Sequence, residues 1–463
     1  MSQESPVIYA GECQRKHLAT LKGEAEQLET QLARASAEFR TDQQPVTLEG
    51  IQALIPSNAA LIEIVHYRPV DFKASLDRRF GAARYAAYIL NASGTPEWVD
   101  LGDVEPIDTA ARRFRQELNN PNNLKAARQR ARELDALVME PIRARLGNVE
   151  HLLISPDSQL NLVPFAALVD EQERYLIQTH KITYLTTGRD LRNLERSRPA
   201  QSPPLILADP NYDQPGSSRS TRAAQRSQDL SNLRFGPLPG AAAEAEALRG
   251  LLPNATLLTG DKATENAIKQ TPAPEILHIA THGFFLADVE FALPRDGTRS
   301  ATIIPTPTGN LSGSPARPSS TENPLLRSGL ALAGFNVRAS AGEDGVLTAL
   351  EAAGLSLRGT RLVVMSACET GVGAVANGEG VYGLRPAFAI AGAESQLMSL
   401  WQVDDYSTAE LMELYYSRIL KGEERSEALR QVQLDLLAAP AYEHPYYWAS
   451  FLFSGDWRPI KER

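Results

Sequence analysis

Two short segments decide the fold class: Ile276-Leu277-His278-Ile279-Ala280-Thr281-His282-Gly283 and Arg361-Leu362-Val363-Val364-Met365-Ser366-Ala367-Cys368-Glu369-Thr370-Gly371. Each reads as an apolar strand that ends on a chemically reactive side chain, with His282 at one end and Cys368 at the other. Because parallel strands place their carboxyl ends at the same edge of a sheet, where α/β folds hold their sites, we expect these side chains to lie close together. A thiol beside an imidazole is the arrangement that activates a cysteine nucleophile.

Composition and charge restrict the class of protein. The chain has 463 residues, which predicts two or three domains, and its 43% hydrophobic and 22% charged residues are typical of a soluble globular protein. A net charge of −9 argues against a function in binding nucleic acid, which favours a concentrated basic surface. No apolar run approaches the roughly 18 residues that cross a bilayer, and the amino terminus has no basic, apolar leader. We therefore expect a cytoplasmic protein with no nucleic-acid or membrane partner.

The cysteines and histidines do not predict a metal site. The two cysteines, Cys13 and Cys368, lie far apart in unlike surroundings, which argues against a disulfide framework. His278 and His282 are four residues apart, but their segment is rich in β-forming residues and lacks the glutamate of a zinc helix. Residues 371–376 match a dinucleotide-binding pattern only loosely. We expect neither a metal nor another cofactor.

His282 is the better candidate for a catalytic base in its segment. His278 lies deeper in the strand, where a hydrogen-bonded core histidine is expected, whereas His282 stands at the strand end. Gly283 has no side chain, so its backbone N–H can approach a substrate carbonyl closely. Together with the N–H of Cys368 it would form an oxyanion site.

Periodicity gives a coarse division of the chain. We expect residues 1–44 to form a helical segment, because their apolar positions recur with a period near 3.5, and residues 45–130 to form a small α/β or α+β region. We expect strands at 60–66, 83–89, 151–154, 204–208 and 447–453, and one charged helical stretch at 110–146. Two polar tracts complete the pattern. Residues 211–234 are expected to be an exposed linker, and residues 288–323 a long loop that regulates access to the site.

Several ordered blocks resemble the CHAT family, caspase-like domains that are often joined to tetratricopeptide repeats and share a clan with the caspase and separase cysteine proteases. The blocks are 152–157 (LLISPD), 162–168 (LVPFAAL), 238–241 (LPGA) with 244–246 (EAE), 280–283 (ATHG), 327–334 (RSGLALAG), 366–371 (SACETG), 398–405 (MSLWQVDD) and 444–448 (HPYYW). The resemblance implies a His/Cys dyad, with His282 as the base and Cys368 as the nucleophile. It also implies a bilobed α/β fold whose sheet is flanked by helices, with a degenerate caspase-like lobe at 131–230 and a catalytic lobe at 231–460.

The sequence departs from its relatives at two points. Caspases have Gln-Ala-Cys-x-Gly where this chain has Ser-Ala-Cys-Glu-Thr-Gly, so Ser366 argues against a caspase-like preference for aspartate. Relatives commonly carry tandem helical repeats upstream, whereas one helical segment precedes the α/β portion here. Either a separate sensor or regulatory protein supplies the regulation or the repeats are absent from this chain.

The substrate pocket is less determined than the dyad. Ser366, Trp401, Asp404 and Asp405 are the candidate pocket residues, and an acid there would select a basic residue on the amino side of the scissile bond. The alternative is that Asp404 and Asp405 cap the following helix, because acids at helix starts satisfy free N–H groups.

These observations predict a bacterial-type, caspase-like cysteine endopeptidase that cleaves a protein substrate through an acyl-enzyme. The alternative is a non-catalytic CHAT-like scaffold that uses its α/β body and amino-terminal helix to bind partner proteins. The presence of both His282 and Cys368 favours the enzyme, since a scaffold needs neither.

Overall fold

The computed structural model describes residues 45–460, except 76–77, 196–197, 215–229, 231–232, 286–323, 341–342, 367–373, 377–379 and 402–404. Within this range, residues 52–460 belong to one compact unit. The helix expected within residues 1–44 and most of the loop expected at 288–323 therefore lie outside the described residues. Those two interpretations stay predictions.

The described residues form sixteen strands and eleven α-helices. The strands are β1 (Ala59–Tyr67), β2 (Arg84–Asn91), β3 (Glu97–Asp103), β4 (His151–Ser155), β5 (Lys181–Tyr184), β6 (Leu205–Pro210), β7 (Thr256–Gly260), β8 (Ile276–Ala280), β9 (Gly283–Phe285), β10 (Ser328–Ala331), β11 (Val346–Thr348), β12 (Leu362–Ser366), β13 (Ala374–Ala376), β14 (Gly380–Tyr382), β15 (Ser395–Ser399) and β16 (Phe451–Gly455). The helices are α1 (Leu48–Gln52), α2 (Val104–Leu118), α3 (Leu124–Leu146), α4 (Leu176–Thr179), α5 (Pro239–Leu251), α6 (Glu265–Gln270), α7 (Ala349–Ala353), α8 (Leu384–Ala391), α9 (Asp405–Leu420), α10 (Arg425–Ala438) and α11 (Pro445–Trp448).

Eleven strands form one central sheet in the order β3-β2-β1-β4-β5-β16-β15-β12-β8-β6-β7. The run from β15 to β7 is parallel, as are β1, β4 and β5, while β16 runs antiparallel to β15 and joins the two halves by pairing with β5. The α/β fold with a large sheet flanked by helices confirms the expected fold class. β6, from the range assigned to the first lobe, lies beside β8 in the second half of the sheet, and the domain boundaries stay a prediction.

The second half of the sheet is covered on both faces, as parallel sheets require. All five residues of β8 are buried, and they alternate between the two sides. Leu277 and Ile279 pack into an apolar cluster with α7 and α8, whereas Ala280 packs with alanines of α5 on the other side. Helix α5 also packs against α9. The alternation therefore places His278 on the side of α5 and α9.

Two smaller sheets follow the strands that carry the site. Strands β9, β10 and β11 form an antiparallel sheet directly after β8, and β13 pairs with β14 after β12. Among the described residues, no helix combines the length and the apolar character that a membrane crossing requires.

Two predictions of local structure need correction. The helical stretch expected at 110–146 is two helices, because the Asn-rich segment 119–123 contains Pro121 and Asn123 caps α3. The strand expected at 447–453 begins only at Phe451. Pro445 starts a helical turn there, and the ring of His444 accepts a hydrogen bond from the backbone N–H of Tyr446.

Buried His151 makes the stability of the first half of the sheet sensitive to acid. Its Nε2 lies 2.9 Å from Thr183 Oγ1 and its ring packs edge-on against Trp457. Burial, with a smaller effect of Lys181, lowers the pKa of His151 to about 2. Since the folded pKa lies below the unfolded value of about 6.5, the stabilisation is complete above pH 6.5 and is lost as the pH falls.

We therefore expect the free energy of unfolding to fall by about 2 kcal/mol between pH 7 and pH 5 through His151 alone. Urea titrations at both pH values measure this for the wild type and for His151→Gln. The variant should be less stable at pH 7 but lose less on acidification. An equal loss in both proteins would contradict the assignment.

Candidate active site

The register between β8 and β12 brings the two predicted site segments to one sheet edge. Ala280 is the partner of Ser366 in the parallel pairing, and Ala280 is also the partner of Ala208 on β6. His282 follows Ala280 by two residues, and Cys368 follows Ser366 by two residues. Cys368 itself lies outside the described residues.

The imidazole of His282 packs against two aromatic side chains. The ring of Phe235 stacks on it, with centroids 4.7 Å apart and planes 17° from parallel. Tyr212 contacts the same ring at 5.5 Å, and its hydroxyl lies 3.4 Å from the backbone N–H of His282. Stacking of this kind restricts rotation of the ring, so the orientation of His282 is set by packing.

A backbone carbonyl fixes the tautomer of His282. Its Nε2 lies 3.0 Å from the carbonyl oxygen of Gly236. A carbonyl oxygen can only accept, so Nε2 carries the proton and Nδ1 of the neutral ring carries the lone pair. The arrangement therefore leaves Nδ1 as the nitrogen that can take up a proton.

Gly283 presents its N–H away from the neighbouring strand. The carbonyl oxygen of His282 accepts a hydrogen bond from Ala331 N, and Gly283 is paired with Leu330 in the next position of the same antiparallel ladder. Hydrogen-bonded and non-hydrogen-bonded pairs alternate in such a ladder. The N–H of Gly283 therefore points away from β10, as an oxyanion donor would.

His278 is the core histidine that its depth in the strand predicted. It is fully buried, its Nδ1 lies 3.0 Å from the hydroxyl of Tyr416 on α9, and its Nε2 lies 3.0 Å from Glu244 Oε1 on α5. The other carboxylate oxygen of Glu244 accepts a hydrogen bond of 2.8 Å from Ser366. The hydroxyl of Ser366, a candidate pocket residue, is thus directed at a buried carboxylate.

The remaining candidate pocket residues follow β15. Trp401 is buried, and its indole N–H donates to the carbonyl oxygen of Tyr446 at 3.1 Å. Asp405 is the first residue of α9, and Asp404 lies outside the described residues. The pocket role and the capping role of the two acids both stay predictions.

The described residues contain one acidic group that could hold a cation, formed by Glu265, Glu343 and Glu351. The ammonium of Lys269 lies within 3.4 Å of an oxygen from each of them. Burial, together with the charge of Glu351, raises the pKa of Glu265. A lysine side chain therefore supplies the positive charge of this cluster.

Three contacts of His282 were missed by the sequence reasoning: Tyr212, Phe235 and Gly236. The expectation that 211–234 is an exposed linker is wrong at Tyr212 and Leu230, which are only 2% and 3% exposed and pack together with Phe335. One signal was available, because Tyr212 follows β6 by two residues, at the same edge of the sheet. No spacing rule connects Phe235 to His282, since their contact is formed only by the fold.

Comparison with known proteins gives the family. A family model, the CHAT domain, matches residues 128–456, which include both His282 and Cys368. The chain belongs to the CHAT domain family. Membership confirms the resemblance of the sequence blocks, and the CHAT match covers every one of them.

Two curated relatives share this CHAT region. Tetratricopeptide repeat protein 28 of Homo sapiens is 26% identical over 326 residues, and that of Mus musculus is 26% identical over 331 residues. Each match covers 67% of this chain but only 12% of the relative. The chain thus spans a small part of the relatives it matches.

Two solved structures are similar to this CHAT protein. Separase from Saccharomyces cerevisiae, in complex with securin, has a TM-score of 0.41 at 8% identity, covering 88% of this chain and 31% of that one. Gingipain R, an Arg-specific cysteine proteinase, has a TM-score of 0.38 at 9% identity, covering 76% of this chain and 73% of that one.

The stacked Phe235 ring gives His282 a spectroscopic signature. A proton above the face of an aromatic ring is shielded, so Phe235→Leu should move the His282 ring resonances downfield. The ¹⁵N shifts of wild-type His282 at neutral pH should show a protonated Nε2. His282→Gln assigns the signals, and Phe72→Leu, at a side chain that is 81% exposed, is the matched control. Unchanged His282 signals in Phe235→Leu would contradict the stacking.

Proposed function

We propose that the chain is a cysteine endopeptidase in which His282 and Cys368 form the catalytic dyad. The observation that carries the proposal is the pairing of Ala280 with Ser366 in adjacent parallel strands. His282 follows Ala280 by two residues, and Cys368 follows Ser366 by two residues. The orientation of the His282 ring supports it, because a base must present its lone pair in a defined direction. The CHAT family membership supports the fold on which such a site would lie.

The proposed reaction proceeds through an acyl-enzyme. His282 Nδ1 takes the proton of the Cys368 thiol, and the sulfur attacks the carbonyl carbon of the scissile peptide. The N–H groups of Gly283 and Cys368 bind the resulting oxyanion. His282 then gives its proton to the leaving amine, which departs and leaves a thioester. Water, deprotonated by His282, hydrolyses the thioester and restores the thiol.

Specificity and regulation are further parts of this proposal. Asp404 and Asp405 follow β15, which neighbours β12 in the sheet, so a basic substrate residue beside Trp401 and Ser366 is the proposed preference. In the competing interpretation the two acids cap α9. The relatives are named for tetratricopeptide repeats, which form stacked helical arrays, and we propose that a partner protein or sensor regulates this chain in the cytoplasm.

A non-catalytic scaffold is the second candidate. Tyr88 and Trp98 are cross-strand partners on β2 and β3, at the edge of the central sheet, and they are 48% and 58% exposed. Exposed aromatic pairs at a sheet edge are suited to binding a partner protein. This observation is compatible with the enzyme as well, since a protease also needs partners.

Proteome-wide mapping of new peptide termini tests the protease. We expect new termini with the wild type and with Cys13→Ala, none with Cys368→Ala, and a loss of about 100-fold or more in cleavage rate with His282→Ala. The residue on the amino side of each cleavage gives the specificity of the substrate pocket. Arg or Lys at this position would favour a pocket role for Asp404 and Asp405. Identical termini with all four proteins, across candidate activating conditions, would contradict the protease proposal and favour the non-catalytic scaffold.

A further inference from the structure

A single buried carboxylate connects the two strands that carry the proposed dyad. Glu244 projects from α5 and is 3% exposed. Its Oε2 accepts the hydrogen bond from Ser366 at 2.8 Å, and Ser366 precedes Cys368 by two residues. Its Oε1 lies 3.0 Å from Nε2 of His278, which precedes His282 by four residues. Glu244 thus touches β12 with one oxygen and β8 with the other.

The network continues to a tyrosine on a second helix. His278 Nδ1 and the Tyr416 hydroxyl are 3.0 Å apart, and both side chains are fully buried. Burial, followed by the charges of Tyr415 and Glu244, raises the pKa of Tyr416 well above its usual value, so its O–H stays protonated. Nε2 of His278 lies 3.0 Å from Glu244 Oε1, at ion-pair distance but without the geometry of a hydrogen bond, while Nδ1 lies at hydrogen-bonding distance from the Tyr416 hydroxyl.

Burial makes this network a strong positional restraint. A buried carboxylate is unfavourable unless its oxygens have polar neighbours: Oε2 of Glu244 accepts the hydrogen bond from Ser366, and Oε1 lies in close contact with Nε2 of His278. A relative shift of β8 and β12 would therefore break either the Ser366 hydrogen bond or the His278 contact of this buried carboxyl group. In addition, α5 begins three residues after Gly236, whose carbonyl orients His282.

We propose that Glu244 is a positioning residue that fixes the ends of β8 and β12 relative to each other, and so sets His282 against Cys368. The proposal rests on the proposed protease function. Among the described residues, the side-chain contacts of Glu244 run to Ser366 and His278, so it would act on the dyad through these two residues.

Two substitutions at Glu244 separate hydrogen bonding from charge. Gln has the same shape and can keep both contacts, with its carbonyl oxygen accepting from Ser366 and its NH₂ group lying against His278 Nε2. Leu removes both acceptors. We expect Glu244→Gln to behave almost like the wild type and Glu244→Leu to lose the alignment of the dyad.

The readout is the rate at which iodoacetamide alkylates Cys368, followed by mass spectrometry in a Cys13→Ser background. This measurement needs no substrate. An activated thiol has a depressed pKa, whereas an ordinary one near 8.5 is only a few per cent thiolate at neutral pH. At pH 7 we expect Glu244→Leu to alkylate about tenfold more slowly than the wild type, with its pH profile moved towards that of an ordinary thiol.

The controls distinguish alignment from stability. Glu246, on the same helix, is exposed and lies 3.3 Å from Arg249, so Glu246→Leu should leave the alkylation profile unchanged. Ser366→Ala removes only the hydrogen bond between Glu244 and β12, so it should slow alkylation of Cys368 less than Glu244→Leu does. It serves as the test variant if Glu244→Leu does not fold. With any substrate found by terminus mapping, the effect should fall on kcat rather than KM.

Two different results would overturn the inference. If Cys368 is activated in the wild type and slowed by His282→Ala, but alkylates equally fast in Glu244→Leu and Ser366→Ala, Glu244 has no positioning role while the protease proposal stands. If wild-type Cys368 reacts as an ordinary thiol and His282→Ala changes nothing, the dyad fails and the positioning role falls with it.

Discussion

The in-register pairing of β8 with β12 is the constraint on which the candidate site depends. A slip of one residue would turn every side chain of β12 to the other face and direct Ser366 towards the apolar cluster of α7 and α8. A slip of two residues would restore the faces but displace the strand end by about 7 Å, beyond hydrogen-bonding distance. Because both strands are buried, either error would also expose apolar surface or leave polar groups without partners. The core of the sheet therefore determines the geometry at its edge.

The start of α5 connects this register to the orientation of His282. Phe235 and Gly236 contact the imidazole just before the helix, and Glu244 contacts β8 and β12 from the second turn of the helix. One short stretch thus restrains the ring at the edge of the sheet and the strands beneath it. A movement of α5 would change both together, because the segment that carries the carbonyl is continuous with the helix that carries the carboxylate.

The parts of the fold that could be predicted are those whose physics is local. Strands such as β4, β6, β8 and β12 are buried apolar runs, and their composition alone indicates them. The start of β16 was misjudged because the aromatic run before it favours a strand, whereas Pro445 and the His444 cap make a helical turn. The positions of His282 and Ser366 followed from the strand ends. The contacts of Phe235 and Glu244 did not, because they join segments tens to more than a hundred residues apart.

The two faces of β8 show which part of the core serves stability and which serves position. On one face, Leu277 and Ile279 pack among apolar side chains and contribute through burial alone. On the other, His278 contacts Glu244 and Tyr416 in a buried site. Replacing a buried ionic or polar group by well-packed apolar residues is often neutral or stabilising, so stability alone gives no reason for this network. Hydrogen bonds differ from apolar contacts in requiring a particular distance and direction. The face that carries the polar network is also the face on which Ser366 leads to Cys368, where distance and direction would matter most.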